Sequence, residues 1–193
     1  NAFLRTYKLP PEPQKTDERI SVMCSAPLWL VKRLRRSYKS DAEKILLAES
    51  NGICVRFEKN AEKYLDKPCV GTPFDNAYIF KNFVRDGAFF EGDYTFQSVG
   101  SIAICSIICA GERLLDACSA PGGKAVLLSK KFKDITACEL HAHRVGLIKA
   151  YSVRMGVKNI TAVQADSSEY NAEFAGKFDA VLCDVPCSGT GVI

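Results

Sequence analysis

Asp116-Ala117-Cys118-Ser119-Ala120-Pro121-Gly122-Gly123-Lys124 closes a short apolar strand, Arg113 to Ala117, and opens a helix running from Lys124 to Phe132. Gly122 and Gly123 carry no Cβ, so the backbone there can approach a ligand closely. The start of the following helix presents N–H groups without helical partners, which suit a carboxylate or a phosphate. The pattern is neither a P-loop nor a GxGxxG fingerprint. A tight strand-to-helix turn with no ligand would look the same locally, so the surroundings decide.

Working outward, strands and helices alternate. Ile135 to Cys138 reads as a strand ending in Glu139, and Arg144 to Met155 as a helix with Leu147, Tyr151 and Met155 on one face. Ile160 to Val163 is a strand followed by Asp166, and Phe178 to Cys183 a strand ending at Asp184. Such alternation argues for a parallel, doubly wound sheet. Right-handed crossovers then bring all four strand C-termini to one edge, where ligands bind. At that edge Glu139 is placed to accept from ribose hydroxyls and Asp166 to meet an adenine amino group. The ligand implied is an adenosine with an acidic or amino-acid tail, S-adenosylmethionine or a nucleotide.

Asp184-Val185-Pro186-Cys187-Ser188-Gly189-Thr190-Gly191 supplies the reacting groups. Asp184 is placed to hydrogen-bond a base ring nitrogen. Cys187 supplies a thiolate if local N–H groups lower its pKa. A thiolate added to carbon 6 of a pyrimidine makes carbon 5 able to take a methyl group. An inert turn cysteine is the alternative.

Upstream, Pro27 to Lys39 holds Lys32, Arg33, Arg35, Arg36 and Lys39 with no acid among them. Leu30, Leu34 and Tyr38 recur at helical spacing with Val31 beside them. A basic helix of this kind tracks a phosphate backbone, or it is simply a solvated face. Asp41 is placed to cap a second helix carrying Ile45 and Leu46. Ile53, Val55 and Phe57 alternate as a strand, and Glu58 to Gly87 reads as loops with short elements. A helical pattern covers Phe96 to Cys109. The expected organisation is a linker or tail of a preceding domain over 1–26, a small α+β RNA-binding module over 27–92, and the N-terminal part of a Rossmann-like domain over 93–193.

Composition bounds the rest. The chain has 193 residues, 47% hydrophobic and 25% charged, with a net charge of +4, ordinary values for a globular protein. No apolar run approaches the ~18 residues of a membrane span, and no secretory signal is evident. Nine cysteines occur without a CxxC pair, and the two histidines, His141 and His143, lie apart from them. That argues against both a disulfide framework and a metal site. Most of the cysteines are expected to be small buried hydrophobes in a reducing cytoplasm.

The two motifs resemble the cofactor and substrate-base motifs of the RNA cytosine-C5 methyltransferases, the Nol1/Nop2/Sun family, closest to its bacterial ribosomal small-subunit type (Sun or Fmu). Ser25-Ala26-Pro27-Leu28-Trp29-Leu30-Val31-Lys32-Arg33 resembles the start of that family's small RNA-binding module, so the resemblance covers about Ser25 to Ile193. It implies a Rossmann-like S-adenosylmethionine sheet, C-terminally incomplete, and a cytoplasmic enzyme acting on RNA, most of all 16S ribosomal RNA. Cys118, Ser119, Ala120, Pro121, Gly122, Gly123 and Lys124 would form the S-adenosylmethionine loop. Glu139 would hold the ribose, Asp166 would sit near the adenine, and Arg144 matches a basic family position. Asp184 would lie near both methyl donor and target cytosine.

Ser119 replaces the family's commoner Ala, and Val185 its commoner Ala or Pro. By resemblance the catalytic residues here are Asp184 and Cys187. Cys187 would help eliminate the carbon-5 hydrogen and release methylated RNA. The attacking cysteine, in a Thr-Cys-Ser motif, is expected beyond residue 193, as is more of the sheet. A preceding NusB-like helical domain is expected upstream. No metal is implied, and a monomer is favoured. The alternatives are a transfer-RNA cytosine-C5 methyltransferase and a non-catalytic RNA-binding or ribosome-assembly factor that keeps the fold.

Overall fold

The architecture follows from two kinds of strand in the chain, antiparallel ones first and parallel ones after. The computed structural model describes residues 11–47 and 52–187. Of these, residues 11–47 cluster as one unit and residues 52–187 as the other.

In the first unit, helices α1 (Thr16–Met23), α2 (Leu28–Tyr38) and α3 (Asp41–Leu46) pack around Ile20, Ala26 and Val31. Helix α1 occupies part of the stretch read as linker. Arg35 is paired with Asp17, whereas Lys32, Arg33, Arg36 and Lys39 are exposed. Asp41 is not a cap. Ser40 holds the N-cap position in a helical conformation and makes no side-chain cap bond, while Asp41 Oδ1 accepts from Lys44 Nζ at 3.1 Å.

The second unit begins with a four-stranded antiparallel sheet. Its strands are β1 (Ile53–Phe57), β2 (Cys69–Gly71), β3 (Ala77–Phe80) and β4 (Tyr94–Phe96), in the order β2-β3-β1-β4. Strand β4 lies past the expected boundary at residue 92 and pairs with β1, Arg56 opposite Thr95. One face buries Val55, Phe57, Tyr64, Phe80, Phe83 and Tyr94. The short helix α4 (Gly87–Phe90) leads into β4.

Helix α5 (Val99–Ile107) starts at a true cap, Ser98 Oγ accepting the Ser101 N–H at 3.2 Å, and buries Ile102 and Cys105. At its end, Lys131 Nζ donates to the carbonyls of Cys105, Ser106 and Ile108, satisfying acceptors that a helix terminus leaves unpaired.

Strands β5 (Gly111–Asp116), β6 (Phe132–Glu139), β7 (Ile160–Gln164) and β8 (Ala180–Leu182) form a fully parallel sheet in the order β7-β6-β5-β8. Helices α6 (Gly123–Leu128) and α7 (Ala142–Arg154) alternate with them. Expectation and structure differ at α6, which stops at Leu128 rather than Phe132. Phe132 is 4% exposed and opens β6 opposite Gly111. Its burial in the sheet core outweighs the helical pattern.

The cysteine expectation is corrected too. Only Cys105 and Cys138 are buried, while Cys109, Cys183 and Cys187 are exposed and the other four half-buried. Burial pushes the Cys105 thiol up to about 11.

Candidate active site

Strand order decides where the motif residues meet. With β5 central between β6 and β8, the loop leaving β5 crosses the C-terminal edge of the sheet and is pinned on both sides. The Ala117 N–H donates to the Leu182 carbonyl at 2.9 Å, and the Ser119 N–H to the Cys138 carbonyl at 2.8 Å. The Gly122 N–H closes the turn on the Ser119 carbonyl at 2.7 Å, and the Ala120–Pro121 bond is cis.

The glycines also meet a packing requirement. Gly122 has φ +107°, and a Cβ there would stand 3.4 Å from the Ile148 Cα; at Gly123 it would face the Tyr151 ring at 3.5 Å. On the side where a Cβ would stand, both positions back onto α7. Gly122→Ala is therefore expected to cost about 1–2 kcal/mol through the left-handed backbone alone, read as a shift in the urea midpoint.

Around this loop lies a cavity of about 810 Å³. It is lined by Cys118, Ser119, Ala120, Pro121, Gly123, Lys124, Glu139, Arg144, Asp166, Asp184 and Cys187. Of the residues expected at the site, only Gly122 does not line it. Residues 188–191 of the second motif lie outside the described residues.

Glu139, 5% exposed at the tip of β6, accepts from the His141 N–H at 3.1 Å and from Arg144 Nη1 at 3.4 Å. Its carboxylate is thereby oriented before any ligand arrives. Asp166 Oδ1 accepts from the Ser168 N–H at 2.9 Å and the Ser168 hydroxyl at 2.6 Å, and these bonds lower its pKa. Asp184 forms an ion pair with Lys124, so the two motifs are joined by a charge contact across the cavity.

Asp116 is the acid in the wall. It is 1% exposed, and neither carboxylate oxygen has a hydrogen-bond partner of good geometry. Burial raises its pKa to about 6, against the lowering effects of Ser119, the Cys118 N–H and Lys124.

The sequence reading missed the opposite wall: Phe96, Gln97, Ser98 and Ser101, from the end of β4 and the start of α5. Gln97 is 8% exposed; its Oε1 accepts from Arg56 Nε at 2.7 Å, and its Nε2 donates to the Gly123 carbonyl at 3.3 Å. The small sheet thus reaches the loop that leaves β5. No motif marks these positions; the only sequence signal was their place just before a capped helix. Among the described residues no cluster of His, Cys, Asp or Glu could hold a metal ion, and no helix is long and apolar enough to cross a membrane.

The geometry agrees with what comparison finds. Residues 108–193 match the family described as 16S rRNA methyltransferase RsmB/F. That segment belongs to this family.

The probable ribosomal RNA small subunit methyltransferase B of Bacillus subtilis is 30% identical over 196 residues, covering 91% of this chain and 44% of that protein. The 25S rRNA (cytosine-C(5))-methyltransferase nop2 of Schizosaccharomyces pombe is 35% identical over 123 residues, 60% of this chain and 20% of that one. The crystal structure of PH0851 superposes with a TM-score of 0.81 at 25% identity, over 97% of this chain and 47% of that chain. The RsmB/F segment therefore carries the Rossmann-type sheet expected of it, and the chain spans less than half the length of these proteins.

Proposed function

We propose that the protein is an S-adenosylmethionine-dependent RNA cytosine-C5 methyltransferase of the cytoplasm acting on ribosomal RNA. The observation that carries this reading is that one cavity gathers Glu139, Asp166, the Lys124–Asp184 pair and Cys187 at adjoining strand tips. The domain organisation proposed with it is an RNA-holding module over 27–92 preceding the methyltransferase sheet.

The donor set fits the cofactor. S-adenosylmethionine is a sulfonium that also carries an ammonium group, and it supplies an electrophilic methyl group. The cavity offers it the buried Glu139, and a wall holding the buried Asp116 carboxylate, whose oxygens have no hydrogen-bond partner of good geometry. Glu139, oriented by Arg144, would hold the ribose hydroxyls. Asp166 would take the adenine amino group.

Asp184, held by Lys124, would hydrogen-bond the target cytosine after that base has left its stack. Cys187, exposed beside the cavity, would help remove the carbon-5 proton so that the methylated base leaves the enzyme.

Three measurements test the reading. Calorimetric titration of full-length protein with S-adenosylmethionine is expected to show one site, and no binding would sink the proposal. Cys187→Ala in full-length protein is expected to accumulate covalent protein–RNA adduct, visible on denaturing gels. If adduct formation instead ceased, Cys187 would be the attacking nucleophile. Bisulfite mapping in a deletion strain separates ribosomal from transfer RNA, since loss confined to transfer RNA would move the substrate.

A further inference from the structure

Beside the cavity, three side chains form a cationic and aromatic surface that the methyl-transfer site does not use. Phe90, at the end of α4, is 69% exposed, and its ring stands edge-on to Phe89 at 5.4 Å. Two guanidinium groups lie against that same Phe89 ring, Arg154 at 4.1 Å and Arg85 at 4.8 Å from its centroid. Arg85 also stands 5.5 Å from the ring of Phe96, which lines the cavity. Arg154 is fixed in place, donating to the Phe89 carbonyl at 2.6 Å and to Thr95 Oγ1 at 3.2 Å.

The charges around the pair are uncompensated. Among the described residues neither Arg85 nor Arg154 enters an ion pair. Asp86, next to Arg85, is held instead by Tyr64 at 2.8 Å and Tyr94 at 3.1 Å. Glu91 is the other acid nearby. Two like charges on one ring repel each other, and placing Arg154 there costs it hydration. A single exposed Phe is ordinary on any protein surface. An exposed Phe packed on a ring that also carries two guanidinium groups, neither of them ion-paired among the described residues, is a different object. It has a flat apolar face for a base and fixed positive charge for the phosphate beside it.

We infer that Phe90, Arg85 and Arg154 form a contact for single-stranded RNA flanking the target nucleotide. One unpaired base stacks on Phe90, and its phosphate meets the two guanidinium groups. The inference rests on the reading of RNA as substrate, and it commits to a single strand because only an unstacked base offers its face.

The test uses full-length protein and a fluorescently labelled single-stranded RNA, with anisotropy followed from low to high salt. Phe90→Ala is expected to weaken binding about tenfold, the usual scale for loss of one stacked base, with the salt dependence unchanged. Phe90→Tyr keeps a ring and should restore the affinity. Arg85→Gln should weaken binding and flatten the log–log salt slope by about 0.7, the value for one phosphate contact on a single strand.

S-adenosylmethionine affinity and the thermal midpoint should stay unchanged in all three, because Phe90 and Arg85 are exposed and lie outside the cavity lining. If Phe90→Ala and Arg85→Gln bind RNA as the parent does, the contact is wrong while the substrate reading stands. If the parent protein itself binds no RNA, both fall together.

Discussion

Arg56→Met is expected to lower the unfolding free energy by about 3 kcal/mol, near the low end for breaking a buried charged pair. Arg56 sits on β1 at 3% exposure, with Nε donating to Gln97 at 2.7 Å and Nη1 paired with Glu58. Removing the guanidinium leaves Glu58, 14% exposed, without its nearer cation. Lys130 still pairs with Glu58 from a more exposed position, which keeps the cost from being larger. Nη2 of Arg56 has no hydrogen-bond partner, so the parent structure already carries one unsatisfied donor, and its loss returns part of the penalty.

The effect should reach the loop that leaves β5, for which the cofactor role is proposed. Gln97 would lose the partner that fixes its amide, and that amide donates to the Gly123 carbonyl. Arg56→Met is therefore expected to weaken S-adenosylmethionine binding as well as stability. Urea denaturation reads the first effect and calorimetric titration the second. The double variant Arg56→Met/Glu58→Gln should lose less than the sum of the two single changes, because the charge that Arg56 neutralises is then gone. A loss under about 1 kcal/mol for Arg56→Met, the range of exposed pairs, would show that the network holds nothing.

How far the sequence revealed all this varies with the range of the interactions. The parallel sheet was legible because each of its strands ends in a polar residue or has one within two positions of its end, and is followed by a helix or a turn. Glu139, Asp166 and Asp184 were placed correctly at strand tips for that reason. The small sheet was legible only at β1. Strands β2, β3 and β4 have three or four residues each, too few for an alternation to show, and Pro68, Gly71 and Pro73 interrupt the pattern. Their pairing with β1 and with each other creates them. The Phe96–Ser101 wall was missed for the same reason, since it faces the motifs only after β4 has joined β1. The end of α6 was misjudged because Phe132 continues a helical pattern in sequence, yet its side chain is buried where β6 meets Gly111. The packing constraint on the glycines was not legible, because only the packed structure places α7 behind them.

Asp116→Asn should change how stability depends on pH more than any other change in the cavity wall. The Asp116 carboxyl has its pKa raised by burial from 3.8 to about 6. The folded state therefore holds this proton more tightly than the unfolded chain does. Stability from this group is fully present below pH 4 and is lost as pH rises through 6. The linked free energy is about 3 kcal/mol. Asn resembles the protonated acid and does not ionise. Relative to the parent, Asp116→Asn is expected to gain about 3 kcal/mol between pH 4 and pH 8, read by urea denaturation at both values.

Using the difference between the two proteins removes the other titrations. Asp86, Asp166 and Asp179 have lowered pKa values, so their stabilisation is lost as pH falls, with the opposite sign. They are the same in both proteins and cancel. Lys124 and Asp184 act on Asp116 in opposite directions, the lysine favouring its ionised form and the aspartate its neutral one. Lys124→Met in the parent background should therefore raise the Asp116 pKa further and move the loss of stability to higher pH. If the difference between parent and Asp116→Asn is flat across the range, the carboxylate is already satisfied in the folded protein, and burial does not hold its proton.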